Sequence, residues 1–272
     1  MTAKKIDQAV ELLLQARLED QRIAALPNAC RPKDEAEAYL VQDRSVDRML
    51  AHCGGDFIGY KIGRTSVMAQ KHLGSSSPIA GTLMSVFART GPAEISADDG
   101  FIRMIEAEIG FRLGQDLPAT EQPYEAATVR PALTTAFGAI EVADSRNLEC
   151  TTAGPAQLIA DNSSAGFSVY SEEFGDMDSL DLADHPVRVR RNGAWAETSS
   201  NAKVLDNSMN VEAWMANHLV AMGAYLKADQ LLTTGTMIAV SPAKKSDVVE
   251  ADYGSLGSVK VSFVLNEIRT SE

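Results

Sequence analysis

Cysteine is scarce in this 272-residue chain: Cys30, Cys53 and Cys150 are odd in number, far apart and form no Cys-x-x-Cys pair. A disulfide framework and a zinc knuckle are thereby excluded, and reduced, mostly buried thiols are expected. Long apolar runs are also missing. No window approaches the roughly 18 apolar residues that a membrane helix needs, and the N-terminus lacks the apolar core of a secretory signal, so a cytoplasmic protein is expected. Basic charge is thin and dispersed. Twenty-five Lys and Arg stand against 37 Asp and Glu, a net charge of −12, and the longest basic runs are the pairs Lys4-Lys5, Arg190-Arg191 and Lys244-Lys245. That is the wrong footprint for a nucleic-acid backbone or an anionic membrane surface. His52, His72, His185 and His218 are scattered, and no Gly-x-Ser-x-Gly elbow or glycine-rich phosphate loop is present.

What remains is the composition of an ordinary globular protein, long enough for one large core with a smaller appended unit. From Lys4 to about Leu26, Ile6, Val10, Leu13, Leu14, Leu18 and Ala25 recur at helical spacing among charges, and Pro27 closes the pattern. A second helix is expected from Asp34 to His52, ended by Gly54-Gly55. Beyond residue 60 short β-prone runs alternate with Gly, Pro, Asn and Asp: Gly100 to Leu113, Gly138 to Ala143, Gly166 to Tyr170, Val187 to Arg191, Gln230 to Val240 and Gly257 to Asn266. One more helix, Asn210 to Leu226, interrupts them, with Asn207, Ser208 or Asn210 as its cap. The reading is an α+β protein divided into an N-terminal helical region, 1–60, and a β-rich catalytic domain, 61–272.

One strand-like run carries chemistry. In Ile105-Glu106-Ala107-Glu108-Ile109 the two glutamates are two residues apart, so both point to one face while their apolar neighbours point to the other. Two carboxylates held close in a low dielectric repel unless a cation lies between them, and a hard divalent ion with oxygen ligands answers that need. The spacing alone also fits a surface strand with a polar face. Glu141, isolated in the β-prone run Phe137-Gly138-Ala139-Ile140-Glu141-Val142-Ala143, offers a third carboxylate.

Those segments, together with Gly59-Tyr60-Lys61-Ile62-Gly63-Arg64-Thr65-Ser66 before them and Asp144-Ser145-Arg146 and Ala160-Asp161-Asn162-Ser163-Ser164 after them, occur in a recognisable order. The order continues through Trp214-Met215-Ala216-Asn217-His218-Leu219, Leu226-Lys227-Ala228-Asp229, Thr233-Thr234-Gly235-Thr236 and Leu256-Gly257-Ser258-Val259-Lys260-Val261-Ser262-Phe263. Over nearly its whole length the chain resembles the 2-keto-4-pentenoate hydratase and 4-oxalocrotonate decarboxylase group of the fumarylacetoacetate hydrolase superfamily.

The resemblance implies an N-terminal helical cap and a C-terminal mixed β-roll. It also implies Mg²⁺ or Mn²⁺ held by Glu106, Glu108 and Glu141, with Lys61 beside the substrate. The activity it implies is hydration of 2-hydroxy-2,4-dienoates or 2-oxo-enoates from aromatic meta-cleavage catabolism. A 4-oxalocrotonate-type decarboxylase is the alternative, with an acylpyruvate hydrolase or a catalytically silent partner subunit behind it. A homo-oligomer is expected, with association with a paralogous decarboxylase or hydratase as a further partner.

Lys61 suits charge neutralisation of the substrate or proton transfer, and equally a structural pairing with a glutamate. Thr234, Gly235 and Thr236 offer donors to a substrate carboxylate, or simply a tight turn. His72 is expected at the surface, and Asp144 and Arg146 as a pair behind Glu141. In Ser77-Pro78-Ile79-Ala80-Gly81 the chain departs from the hydratases, which usually carry an acid where Ile79 stands. The stretches 204–209 and 241–247 also differ from the family pattern.

Overall fold

The computed structural model describes residues 1–72, 74–148, 152–172, 174–182, 184–204 and 208–265, apart from the side chains of Val67 and His72. Cys150, the surface placement expected for His72, and residues 205–207 with the Asn207 cap therefore lie outside the described residues.

Two helices come first, α1 (Ala3–Leu18) and α2 (Glu35–Cys53). Strands β1 (Phe57–Gly63), β2 (Ile79–Met84), β3 (Ala88–Thr90) and β4 (Ala93–Ser96) follow, with the short helix α3 (Val67–His72) between the first two. The long strands β5 (Met104–Leu113) and β6 (Leu133–Ala143) flank α4 (Ala126–Val129). Next come α5 (Pro155–Ala160), β7 (Phe167–Tyr170), β8 (Gly175–Asp176), β9 (Pro186–Arg191) and β10 (Ala194–Ser200). The last elements are α6 (Ser208–Ala221), β11 (Leu231–Thr233), β12 (Ser241–Pro242), β13 (Val248–Asp252) and β14 (Ser258–Val264). This is the α+β architecture that the sequence implies.

One mixed sheet runs β2-β1-β11-β5-β6-β7-β3, with β12 added at β5 and β8 at β6; the second runs β10-β9-β13-β14-β4. Parallel pairs (β1 with β11, β3 with β7, β14 with β4) sit among antiparallel ones. A single apolar cluster joins the helices to both sheets, from Val10 and Leu13 through Ile62, Ile109 and Ile140 to Val261 and Phe263. Tyr253 ties the sheets together behind the site: its fully buried hydroxyl donates to the Ala139 carbonyl and accepts from the Glu108 N–H. Its ring lies on Gly138, where an added Cβ would stand 2.2 Å from a ring carbon, so no larger residue fits without displacing the tyrosine.

Some element ends differ from expectation. α1 ends at Leu18 because Asp20 takes the left-handed conformation (φ 49°) and the Gln21 N–H closes onto the Ala16 carbonyl at 2.9 Å. α6 ends at Ala221, before Leu226, with Gly223 (φ 79°) and an Ala224 N–H to Leu219 carbonyl bond making the same closure. Asp34 caps α2 by accepting from the Glu37 N–H at 2.8 Å. The strand expected over Gln230 to Val240 is limited to Leu231–Thr233. After it Gly235 (φ 86°) turns the chain, which stays alongside β5 through a Met237 N–H to Ala107 carbonyl bond.

Glu212 on α6 is fully buried and neither of its oxygens meets a donor. Burial pushes its carboxyl well above the usual range. Such a group favours the fold below the ordinary carboxylate pKa, and that contribution is lost as pH rises through the raised folded value. Glu212→Met should therefore raise the unfolding midpoint at pH 8 by several degrees, for about 1–3 kcal/mol relieved, and by less at pH 5. Thermal unfolding at the two pH values decides; an equal or lower midpoint at both would count against it.

Candidate metal centre

β5 and β6 pair antiparallel, with Glu106 opposite Glu141 and Glu108 opposite Ala139. Alternation along β5 then puts all three glutamates on one face, while Ile105, Ala107 and Ile109 fill the core on the other. One oxygen from each carboxylate lies within 4.8 Å of the others. Glu108 and Glu141 are buried, Glu106 is half-buried, and no oxygen of Glu108 or Glu141 accepts a hydrogen bond.

Lys61 reaches this cluster from β1. Its Nζ lies 3.3 Å from Glu141 Oε1 and donates to the Ser163 carbonyl at 3.0 Å. Burial works to lower the ammonium's pKa, but Glu141, Glu106 and Glu108 outweigh it and hold the proton on. On the acid side, burial raises Glu141 to about 7 in spite of Lys61, and drives Glu108 well above the usual range with help from Glu141 and Glu106. Three carboxylates and one ammonium leave a formal charge of −2. One divalent cation neutralises it, and oxygen-only donors with free lone pairs are what a hard ion such as Mg²⁺ or Mn²⁺ takes. The residues present fit that group.

The Ser163 carbonyl is delivered by an unusual turn in which Asn162, Ser163 and Ser164 all have positive φ, between 50° and 60°. Asn162 holds the turn by exchanging two hydrogen bonds with the Thr82 backbone, and the Ser163 hydroxyl donates to the Ala80 carbonyl at 2.6 Å. Gly81 must be small here. A Cβ on it would come within 2.7 Å of the Asn162 carbonyl and 3.1 Å of the Lys61 stem.

Further out, Arg146 Nε binds Asp161 Oδ1 at 2.6 Å and Arg146 Nη1 lies 3.9 Å from Asp144 Oδ2. Asp144 Oδ1 accepts from the Phe101 and Ile102 N–H groups. These contacts fix the segment after Glu141. The Thr234 hydroxyl donates to the Ile109 carbonyl at 2.9 Å, and Thr236 bonds locally to Ile238. Gly235 packs against Thr65, whose Oγ1 an added Cβ would approach to 2.1 Å. Thr233, which sequence reasoning passes over, is the threonine beside the cluster. It pairs in register with Lys61, is buried, stands against Glu108 and has an unpartnered hydroxyl. His185 and His218 are engaged elsewhere, with the Tyr253 carbonyl and with the Tyr39 and Trp214 rings. Ile79, where the resembling hydratases carry an acid, is buried beside Lys61: a Cβ on Gly63 would be 3.4 Å from Lys61 Nζ and 3.7 Å from Ile79 Cγ1. A cleft of about 250 Å³ lined by Arg17, Phe87, Asp144 and Phe167 lies apart from these carboxylates.

No family model matches the chain. It is 30% identical over 262 residues to the TodF product hydratase of Pseudomonas putida, covering 95% of each chain. To a 2-keto-4-pentenoate hydratase of Paraburkholderia xenovorans it is 29% identical over 268 residues, covering 98% of each. Among solved structures it resembles a 4-oxalocrotonate decarboxylase from Pseudomonas putida G7 complexed with magnesium and adipate. The TM-score is 0.90 at 26% identity, over 97% of this chain and 98% of that one.

Proposed function

The chain belongs to the 2-keto-4-pentenoate hydratase family of the fumarylacetoacetate hydrolase superfamily, and from that premise we propose a divalent-metal-dependent hydro-lyase that adds water to 2-hydroxy-2,4-dienoates and 2-oxo-enoates. One observation carries the reading: three carboxylates converge within 4.8 Å on one strand face with a buried lysine against one of them. Glu106, Glu108 and Glu141 hold the cation, Mg²⁺ or Mn²⁺. When bound, it supplies Lewis-acid stabilisation of negative charge developing on the substrate's 2-oxygen.

Lys61 has three N–H groups. One is used on the Ser163 carbonyl and one faces Glu141, which leaves the third for the substrate. A 2-hydroxy-2,4-dienoate first ketonises, losing its 2-hydroxyl proton and gaining one at carbon 5, to the conjugated 2-oxo-3-enoate. Lys61 orients this oxo acid and holds the proton that carbon 3 takes up as water oxygen joins carbon 4, and the proton lost by that water restores the ammonium. Thr233, Thr234, Gly235 and Thr236 form the adjoining wall, with the Thr233 hydroxyl as a free donor and the Thr234 hydroxyl keeping β11 against β5.

Ile79 favours a second reading. An apolar side chain beside Lys61 removes a carboxylate that would activate water there, and decarboxylation of a vinylogous oxo acid needs none. We further propose that the protein acts in the cytoplasm as a homo-oligomer; no helix among the described residues is long and apolar enough to cross a membrane.

The test is chelation followed by reconstitution. Turnover of 2-hydroxypenta-2,4-dienoate should fall by at least about 100-fold with a chelator and return with Mg²⁺ or Mn²⁺, with water incorporated. Carbon dioxide release from 2-oxohex-3-enedioate without hydration would install the decarboxylase reading. Turnover indifferent to the chelator would remove both.

A further inference from the structure

We propose that Tyr170 is a positioning residue of the metal centre, its hydroxyl donating a hydrogen bond to the Glu141 carboxylate and so fixing that carboxylate on the cation. The inference rests on the metal-dependent reading above and adds a residue to its site.

β7 pairs with β6 on the side away from β5, with Ser168 opposite Glu141 and Tyr170 opposite Ala139. Alternation then puts Ser168 and Tyr170 on the face that carries the glutamates. Glu141 is the diagonal neighbour of Tyr170, about 7–8 Å away, a span within reach of an aromatic side chain. Ala139, directly opposite, is too small to stand between them. The tyrosine is held firmly in this place. Its strand pairs with β6 on one side and β3 on the other, and its carbonyl accepts from the Gly91 N–H at 2.8 Å. Its ring meets Phe137 edge-on at 5.2 Å, in a small apolar cluster with Leu83, Ala139 and Leu231.

Packing accounts for the ring but not for the hydroxyl. Tyr170 is only 6% exposed, and among the described residues its oxygen has no hydrogen-bond partner, a cost that phenylalanine would avoid. Two other buried phenols are engaged: Tyr39 accepts from the Ala80 N–H, and Tyr253 bridges Ala139 and Glu108. Burial pushes the Tyr170 phenol far above its ordinary value; the Ser168 hydroxyl, short of a closed hydrogen bond, opposes this, and Glu141 and Glu108 add to it. The group is therefore a neutral donor, and the charges it feels are those of two acceptor-only carboxylates that lack a donor in turn. Lys61 stands 3.3 Å from Glu141 Oε1, which leaves Oε2 to a second donor. The cavity that Tyr170 lines with Thr82 and Ser168 is about 10 Å³, room for a water-sized group and not for an organic acid. The phenol thus acts on the carboxylate and not on the substrate. Hydrogen bonds of this kind orient a metal's carboxylates, and their loss costs about 10- to 100-fold in metal affinity.

Tyr170→Phe removes the oxygen and keeps the ring. Titration calorimetry of the full chain with Mg²⁺ should show an affinity about 10- to 100-fold weaker than the parent's. A spectroscopic readout accompanies it: Mg²⁺ should give the parent a near-ultraviolet tyrosine difference signal, as the phenol gains its acceptor, and Tyr170→Phe should lack that signal. Tyr60→Phe, a half-buried tyrosine on the opposite face of β1 from Lys61, should change neither readout. Equal Mg²⁺ affinity in Tyr170→Phe and parent, a parent without the signal, or a Tyr60→Phe loss as large as that of Tyr170→Phe would each overturn the proposal and leave the metal centre standing. A parent that binds no divalent cation would remove the metal-dependent reading and the proposal together.

Discussion

Glu108→Gln is expected to cut metal-dependent turnover by roughly 1,000-fold or more and yet to leave the metal-free protein more stable than its parent. The two effects share one cause. Glu108 is fully buried, accepts no hydrogen bond and shares its face with Glu106 and Glu141, so its charge is a liability until a cation arrives. The amide keeps the shape and removes the repulsion, for about 1–3 kcal/mol, or several degrees in the metal-free midpoint. Because the folded carboxyl is raised, its favourable contribution is present below the ordinary carboxylate pKa and lost as pH climbs through the folded value. The advantage of the variant should accordingly widen from pH 5 to pH 8. Mg²⁺ reverses the order. At about 100 times its Kd the ion stabilises the parent by about 2.7 kcal/mol, but it gains little on a site short of one formal charge. Thermal scans with and without Mg²⁺, run beside turnover, give the answer; a variant that keeps both the Mg²⁺ shift and the activity would show that the cation sits elsewhere.

This trade explains why the acids were legible in the sequence. A glutamate isolated among Ile, Ala and Val contradicts the burial that its neighbours demand, and a two-residue spacing fixes the face without any tertiary knowledge. Hence Glu106 and Glu108 could be paired on paper, and Glu141 added because its own run is equally apolar. The long strands were readable for the same reason, from the alternation that buries Ile105, Ala107 and Ile109. What the sequence hides is register between distant segments. Thr233 is beside the cluster because β11 pairs with Lys61 on one side and with Gly110 on the other, a fact that no local pattern carries. Thr233 was passed over beside Thr234 to Thr236, since which threonine faces the cluster depends on that register. Ser163 was invisible in another way: its contribution is a backbone carbonyl, presented by three consecutive left-handed residues of which none is glycine. The end of α1 was overrun for a related reason, because an aspartate rather than a glycine takes the left-handed position at residue 20.

Lys61→Met should be the most destabilising single change at the site, and also nearly silence it. Methionine preserves the stem that lies against Gly81 but deletes the ammonium, leaving Glu141 with no cationic partner while still 3% exposed. Breaking a buried pair from one side costs about 3–5 kcal/mol, which in a chain of this size lowers the midpoint by roughly 6–20 °C. Adding Glu141→Gln should return much of that loss, because the burden is the uncompensated carboxylate rather than missing packing; a double-mutant cycle isolates the coupling. Mg²⁺ should likewise restore stability to Lys61→Met, since positive charge is then supplied to the same acids. Turnover should not come back with it. A group that holds and moves a proton is worth about 100- to 10,000-fold, and no amount of bound metal supplies an N–H at that point. Stability rescued together with activity would mean that Lys61 acts only as a counter-charge to Glu141. Stability rescued without activity would place its N–H in contact with the reacting atoms.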